Sequence, residues 1–279
     1  MVTRLTYLGF LSISGPDAQE FLQGQLTCDV KELTTSKSLL GVCCNRKGRV
    51  ISQFRILLRN EDYLLILPAD TIELTLNHFK KYALFSKVEF NNITEEMGCL
   101  GFQSENLTSY LKNIPINQNE VCINDSFTAI NVNSKTHRYL AFGKVTDIEI
   151  LYDKLSQHLS AKTESEWQRE NCREGLAEIT PKTSEQFTPH MLNYDLIHAI
   201  NFNKGCYIGQ EIVARSHYLG NQKKRLRFFS IQAEKETYPG EIVYDKEQNA
   251  IGFVVNTYQV SQNHYEILAT INLETEPAF

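Results

Sequence analysis

Lys204-Gly205-Cys206-Tyr207-Ile208-Gly209-Gln210-Glu211-Ile212-Val213-Ala214-Arg215 gathers a thiol, a carboxylate, two glycines and two cations into one short run. Cations and a helix N-terminus favour thiolate over thiol, so Lys204, Arg215 and a helix starting after Gly209 would make Cys206 more acidic than a free cysteine. Glu211 and Arg215 stand four apart in the order that lets them pair along one helix face. Gly205 and Gly209 would allow a tight turn and close approach of backbone to a ligand. The functional reading is a reactive thiol beside a ligand loop. The alternative is a buried structural cysteine in a turn, since free cysteines are among the most buried residues.

Further groups flank this run. From Lys204 to Arg227 there are six cations, four of them in Lys223, Lys224, Arg225 and Arg227, against the single Glu211. They read either as an anion site or as a solvated linker. His217 suits a helix end or the surface better than catalysis. Asn193-Tyr194-Asp195, upstream, suits either a hydrogen bond to a ligand or a cap.

The segment Lys204-Gly205-Cys206-Tyr207-x-Gly209-Gln210-Glu211-x-x-Ala214-Arg215 resembles the signature of the YgfZ family, folate-binding relatives of the glycine-cleavage aminomethyltransferase that assist iron–sulfur proteins. Ile13-Ser14-Gly15-Pro16-Asp17-Ala18, then Phe21-Leu22-Gln23-Gly24-Gln25-Leu26-Thr27, and Gly48-Arg49-Val50 are similar to the opening of that superfamily. The resemblance implies tetrahydrofolate or a derivative as ligand. It implies Cys206 as the reactive group, and Lys204, Gly205, Tyr207, Gly209, Gln210, Glu211, Arg215, Asn193 and Arg173 as the ligand-binding set. Implied partners are iron–sulfur client or assembly proteins and, indirectly, tRNA. Two departures stand out. Where the transferases carry paired aspartates after Gly-x-Val-Ile, this chain has Ser52-Gln53, so the acid for C–N cleavage is missing. Their pterin-binding glutamate, two residues before a glycine, is replaced by Arg173 ahead of Glu174-Gly175, and an arginine accepts no hydrogen bond. The expectation is a folate-binding accessory factor rather than an enzyme. The rivals are a tetrahydrofolate-dependent C1 transferase and a non-catalytic protein-binding scaffold.

Composition bounds these readings. The 279 residues, 42% hydrophobic, are enough for two or three small cores, and a net charge of −5 argues against a general nucleic-acid coat. Seven cysteines without a C-x-x-C pair fit a reducing compartment with neither a disulfide framework nor a bound zinc or cluster. No run is long and apolar enough for a membrane span, so the expectation is a cytoplasmic protein with no membrane partner.

The elements that must position these groups follow from periodicity. Asp17 to Leu26, Thr71 to Leu84, Asn106 to Lys112 and Glu164 to Arg173 have helical spacing; Asn45-Arg46-Lys47-Gly48 reads as a hairpin turn. Lys87 to Asn91, Gly98 to Phe102 and Phe127 to Val132 read as strands, as do short runs after Arg225. With the resemblance, the expectation is an α+β chain in a three-domain aminomethyltransferase-like arrangement. Residues 1–50 plus 145–222 would form the folate-binding domain, 51–144 a ferredoxin-like middle unit and 223–279 a small C-terminal β-barrel.

Overall fold

The computed structural model describes residues 1–59, 61–106, 111–220 and 222–278. Two five-stranded antiparallel sheets face each other, and each carries helices on its outer side. The first is built from β2 (Leu8–Ser14), β3 (Leu39–Cys44), β4 (Val50–Arg59), β5 (Asp62–Pro68) and β6 (Glu89–Asn92), in the order β3-β4-β5-β2-β6. Helices α1 (Ala18–Gln25) and α2 (Ile72–Tyr82) cover its outer face. Side chains alternate along each strand. Leu11, Ile13, Phe54, Ile56 and Leu65 therefore pack under α1 and α2, while Phe10, Leu57, Leu64 and Ile66 turn to the second sheet. Because both faces are covered, β5 reads as a nearly unbroken apolar run, and β4 is buried along most of its length although it carries Ser52, Gln53 and Arg55.

The second sheet has the order β1-β7-β10-β9-β8, from β1 (Val2–Arg4), β7 (Met97–Gln103), β8 (Val121–Ile123), β9 (Thr128–Asn133) and β10 (Arg138–Lys144). Helix α3 (Val145–Ser156) packs Ile148, Leu151 and Leu155 on its outer face. Helix α4 (Glu164–Arg173) begins at a capping box: Thr163 accepts from the Glu166 N–H, and the Glu166 carboxylate accepts from the Thr163 N–H. Trp167, on α4, closes one end of the space between the sheets. A long segment without regular structure then runs from Glu174 to Gly209, where α5 (Gln210–Leu219) starts. The chain ends in a four-stranded sheet of β11 (Lys224–Gln232), β12 (Ile242–Tyr244), β13 (Ala250–Ser261) and β14 (His264–Asn272), ordered β11-β14-β13-β12.

Three expectations change. The boundary between 50 and 51 falls at the start of β4, which pairs with β3 on one side and β5 on the other. The stretch 51–144 is not one ferredoxin-like sheet: β4, β5 and β6 belong to the first sheet, and β7 to β10 to the second. Long-range pairing of β1 with β7 and of β2 with β5 decides this, and local periodicity carries no information about it. The helix expected from Asn106 to Lys112 lies mostly outside the described residues. At the C-terminus, among the described residues, β11 and β12 are the two edges of an open sheet rather than neighbours in a closed barrel.

Candidate functional site

The signature loop is laid along the end of α1. Ile208 N–H donates to the Gly24 carbonyl at 3.0 Å, Asn201 N–H to the Thr27 carbonyl at 2.9 Å, and Thr27 Oγ1 to the Ala199 carbonyl at 2.7 Å. The two motifs that stand out in the sequence, around Gln23-Gly24-Gln25 and Lys204-Gly205-Cys206, are thus one structural unit. Gly209 (φ +84°) explains part of this packing: a Cβ there would lie 2.5 Å from the Asn45 carbonyl. Its counterpart Gly48 (φ +64°) would meet Ile212 Cβ at 2.9 Å, so the β3–β4 turn and the start of α5 approach through two left-handed glycines. A Cβ at Gly205 would meet nothing within 4 Å, so packing does not demand glycine at that position.

Within the loop, neighbouring side chains point in opposite directions. Cys206 is exposed, while Lys204 and Tyr207 are buried. The Lys204 ammonium donates to the carbonyls of Gln23 at 2.8 Å, Leu26 at 2.6 Å and Cys28 at 2.8 Å. Burial lowers its pKa to about 8, so at pH 7 it remains mostly charged, with three donors matched to three carbonyls at the C-terminal end of α1. This corrects the expectation that Lys204 tunes the thiol; its charge serves the helix end. Glu211 and Arg215 form the expected ion pair at 2.9 Å, but both are well exposed, so it contributes little. Gln210 opens α5 beside them. The other cysteines differ from Cys206 in access: burial raises the pKa of Cys28 and Cys172 to about 12 and also pushes those of Cys43, Cys44 and Cys99 up.

Other members of the expected ligand set are committed elsewhere. Arg173 donates from Nε and Nη2 to the two carboxylate oxygens of the buried Glu266 at 2.9 and 2.6 Å, joining α4 to β14. Asn193 (φ +59°) donates to the Leu226 carbonyl at 2.9 Å, and Asp195 holds Arg225 through two bonds at 2.6 and 2.9 Å. These contacts dock the last sheet. They also break up the basic cluster, because Arg225 is neutralised by Asp195, Arg227 lies 3.4 Å from Glu276, and Lys224 sits over the Phe253 ring. In a strand these residues alternate between faces, so adjacent cations do not converge.

One space able to hold a ligand lies between the two five-stranded sheets, α4 and the segment from Leu176 to Ala199. Its volume is ≈130 Å³. One water needs about 10–15 Å³ on this measure, so the cleft takes a ring-sized group. Leu40, Phe54, Ile66, Leu140 and Trp167 supply apolar walls, and Gln53, Arg55, Asn171 and Glu178 the polar groups. Period-two alternation separates the two positions that depart from the transferase pattern. Ser52 is fully buried under α2, 2.7 Å from Thr75 Oγ1, whereas Gln53 lines the cleft and its Oε1 accepts from the Ile179 N–H at 2.8 Å.

Sequence reasoning missed Glu178. Its Oε1 accepts from the Tyr7 hydroxyl at 2.9 Å and from Asn171 Nδ2 at 3.0 Å, and its Oε2 from Gln168 Nε2 at 3.2 Å. The Tyr258 hydroxyl also hydrogen-bonds to it; all four donors are neutral, and among the described residues no cation pairs with this carboxylate. Desolvation raises its pKa above the ordinary 4.5, and the four hydrogen bonds work against that rise. The sequence signal was one acid inside the apolar run Leu176-Ala177-Glu178-Ile179. Glu174, by contrast, is taken by Arg138 at 2.8 Å and Thr136 at 2.9 Å.

The GCVT N-terminal domain family matches residues 2–122. The chain is 33% identical to the tRNA-modifying protein YgfZ of Colwellia psychrerythraea, over 86% of this chain and 74% of that protein. It is 30% identical to the tRNA-modifying protein YgfZ of Vibrio atlanticus, over 94% of this chain and 81% of that one. Among solved structures, glycine cleavage system aminomethyltransferase T from Bartonella henselae aligns with a TM-score of 0.77, covering 98% of this chain and 78% of its own. At 14% identity that likeness speaks for the fold alone. With such identity to relatives along most of their length, the chain belongs to the YgfZ family.

Proposed function

We propose that this protein is a folate-binding accessory factor connected with tRNA modification, acting in support of iron–sulfur enzymes rather than as an aminomethyltransferase. The observation that carries the folate part is Glu178, a carboxylate without a cation partner among the described residues, on a ring-sized, largely apolar cleft between the sheets. An ionised carboxylate accepts N–H bonds from the 2-amino and N3–H edge of a pterin, and a ring docked there would take the place of neutral donors such as Gln168 and Tyr258. In this reading Glu178 takes the role that Arg173 cannot. The relatives named as tRNA-modifying proteins supply the link to tRNA, and the family resemblance supplies the link to iron–sulfur clients. Cys206, exposed on a loop braced by Lys204 and Tyr207, is the group such a client would meet.

Calorimetric titration with tetrahydrofolate tests the reading. A hydrogen bond to a charged group is worth about 1.5–3 kcal/mol, so Glu178→Gln should weaken binding by roughly tenfold or more. Cys206→Ala should leave it unchanged, because Cys206 does not line the cleft. The sign of the pH effect follows from the raised pKa. The acceptor form is the ionised one, so affinity should be full at neutral pH and fall on acidification at a pH above the ordinary carboxylate value. Absence of heat and of any thermal shift with the wild-type protein would remove the folate assignment.

A further inference from the structure

Arg55 lies two residues beyond Gln53 on β4 and, by the same alternation, on the same face. It lines the cleft and is 7% exposed. Its Nη1 donates to Ser38 Oγ at 3.0 Å and to Asn119 Oδ1 at 2.7 Å. Nε and Nη2 have no partner among the described residues, yet they are not among the buried polar atoms sealed off without one. No described carboxylate pairs with this guanidinium. The other deeply buried arginine of this region, Arg138, is treated differently: Glu174, Asn171 and the Trp167 carbonyl all accept from it. Burial lowers the Arg55 pKa to about 10, so the group stays charged at neutral pH. An uncompensated buried cation costs several kcal/mol, so an arginine in this place calls for an acceptor.

Arg55 and Glu178 border the same cleft without forming an ion pair with each other. The cleft therefore presents a hydrogen-bond acceptor and a separate charged donor, with apolar walls around them. We propose that Arg55 donates to the carbonyl edge of the ring whose N–H edge Glu178 accepts, so that the cleft selects a 4-oxo over a 4-amino pteridine. This deepens the folate reading above and rests on it. The planar fork of the guanidinium can direct its N–H groups at the lone pairs of a ring carbonyl oxygen. Replacing the carbonyl by an amino group puts a donor where Arg55 needs an acceptor, and a site built to hydrogen-bond one group rejects an analogue that leaves its buried polar atoms unpaired.

The experiment is a titration of the full chain with tetrahydrofolate and with its 4-amino analogue, on the wild type, Arg55→Met and Arg55→Lys, with thermal melts to verify folding. Arg55→Met should weaken tetrahydrofolate at least tenfold while changing the 4-amino analogue by less than about threefold, so the ratio of the two affinities shifts. Arg55→Lys keeps the charge and loses the fork. It should shift the ratio in the same direction, and it carries the comparison alone if the methionine variant does not fold. Equal weakening of both ligands, or tetrahydrofolate affinity unchanged in the variants, would overturn the assignment of Arg55 and leave the folate reading standing. A wild-type protein that binds neither ligand would overturn both.

Discussion

Replacing Lys204 by methionine separates two roles that its place in the signature leaves entangled. In the structure its ammonium is the donating end of a clamp on the carbonyls of Gln23, Leu26 and Cys28. Methionine is similar in length and fills the slot, but offers none of the three hydrogen bonds. The bonds to Leu26 and Cys28 are buried, that to Gln23 partly so. A buried carbonyl stripped of its partner costs about 1–3 kcal/mol. Two such groups and a third at reduced cost come to about 3–5 kcal/mol, and relief of the buried charge returns part of that. The expected loss is therefore about 3 kcal/mol, or roughly 6–10 °C in Tm for a chain of this size. Urea unfolding and thermal melts read the loss. Alkylation of Cys206 by limiting iodoacetamide, followed by mass spectrometry under native conditions, reads the second role. Its rate should stay within about twofold of wild type, because the ammonium is directed at α1 and the thiol at solvent. An unchanged Tm together with a tenfold slower alkylation would refute this reasoning and return Lys204 to the thiol.

Three further outcomes are expected. In the wild-type protein Cys206 should alkylate ahead of the other six cysteines, five of which are buried and one half-buried, as peptide mapping after brief labelling will show. Gly209→Ala should lower stability by about 2 kcal/mol or more, measured by denaturant unfolding, since φ +84° is costly for alanine and its Cβ would press on the Asn45 carbonyl at 2.5 Å. With aminomethylated lipoyl carrier and tetrahydrofolate, methylenetetrahydrofolate should not rise above a no-protein control. A positioned acid or base is typically worth ~10²–10⁴-fold, Ser52 is sealed beneath α2, and Gln53 does not titrate.

Much of the local structure was legible from residue order. The helix from Glu164 to Arg173, the helix of α1 after Pro16, the turn at Asn45 to Gly48 and the Glu211–Arg215 pair depend on neighbours within four residues, so spacing alone reports them. The signature and the opening motifs likewise marked the family before any geometry was known. What sequence spacing could not decide was which way a group points and what meets it there. Lys204 reaches back about 180 residues to α1, Arg173 is claimed by Glu266 on β14, and Asp195 by Arg225 on β11. Domain limits failed for the same reason, because β1 joins β7 and β2 joins β5 across long stretches of chain. The cleft itself is the clearest case. Gln53 and Arg55 come from β4, Asn171 from α4 and Glu178 from an irregular segment. Residue types decide which charges and donors the protein owns. Which of them stay unpaired and face a ligand depends on the stacking of the two sheets, since the cost of burying a polar group is set by the partners that distant parts of the chain bring to it.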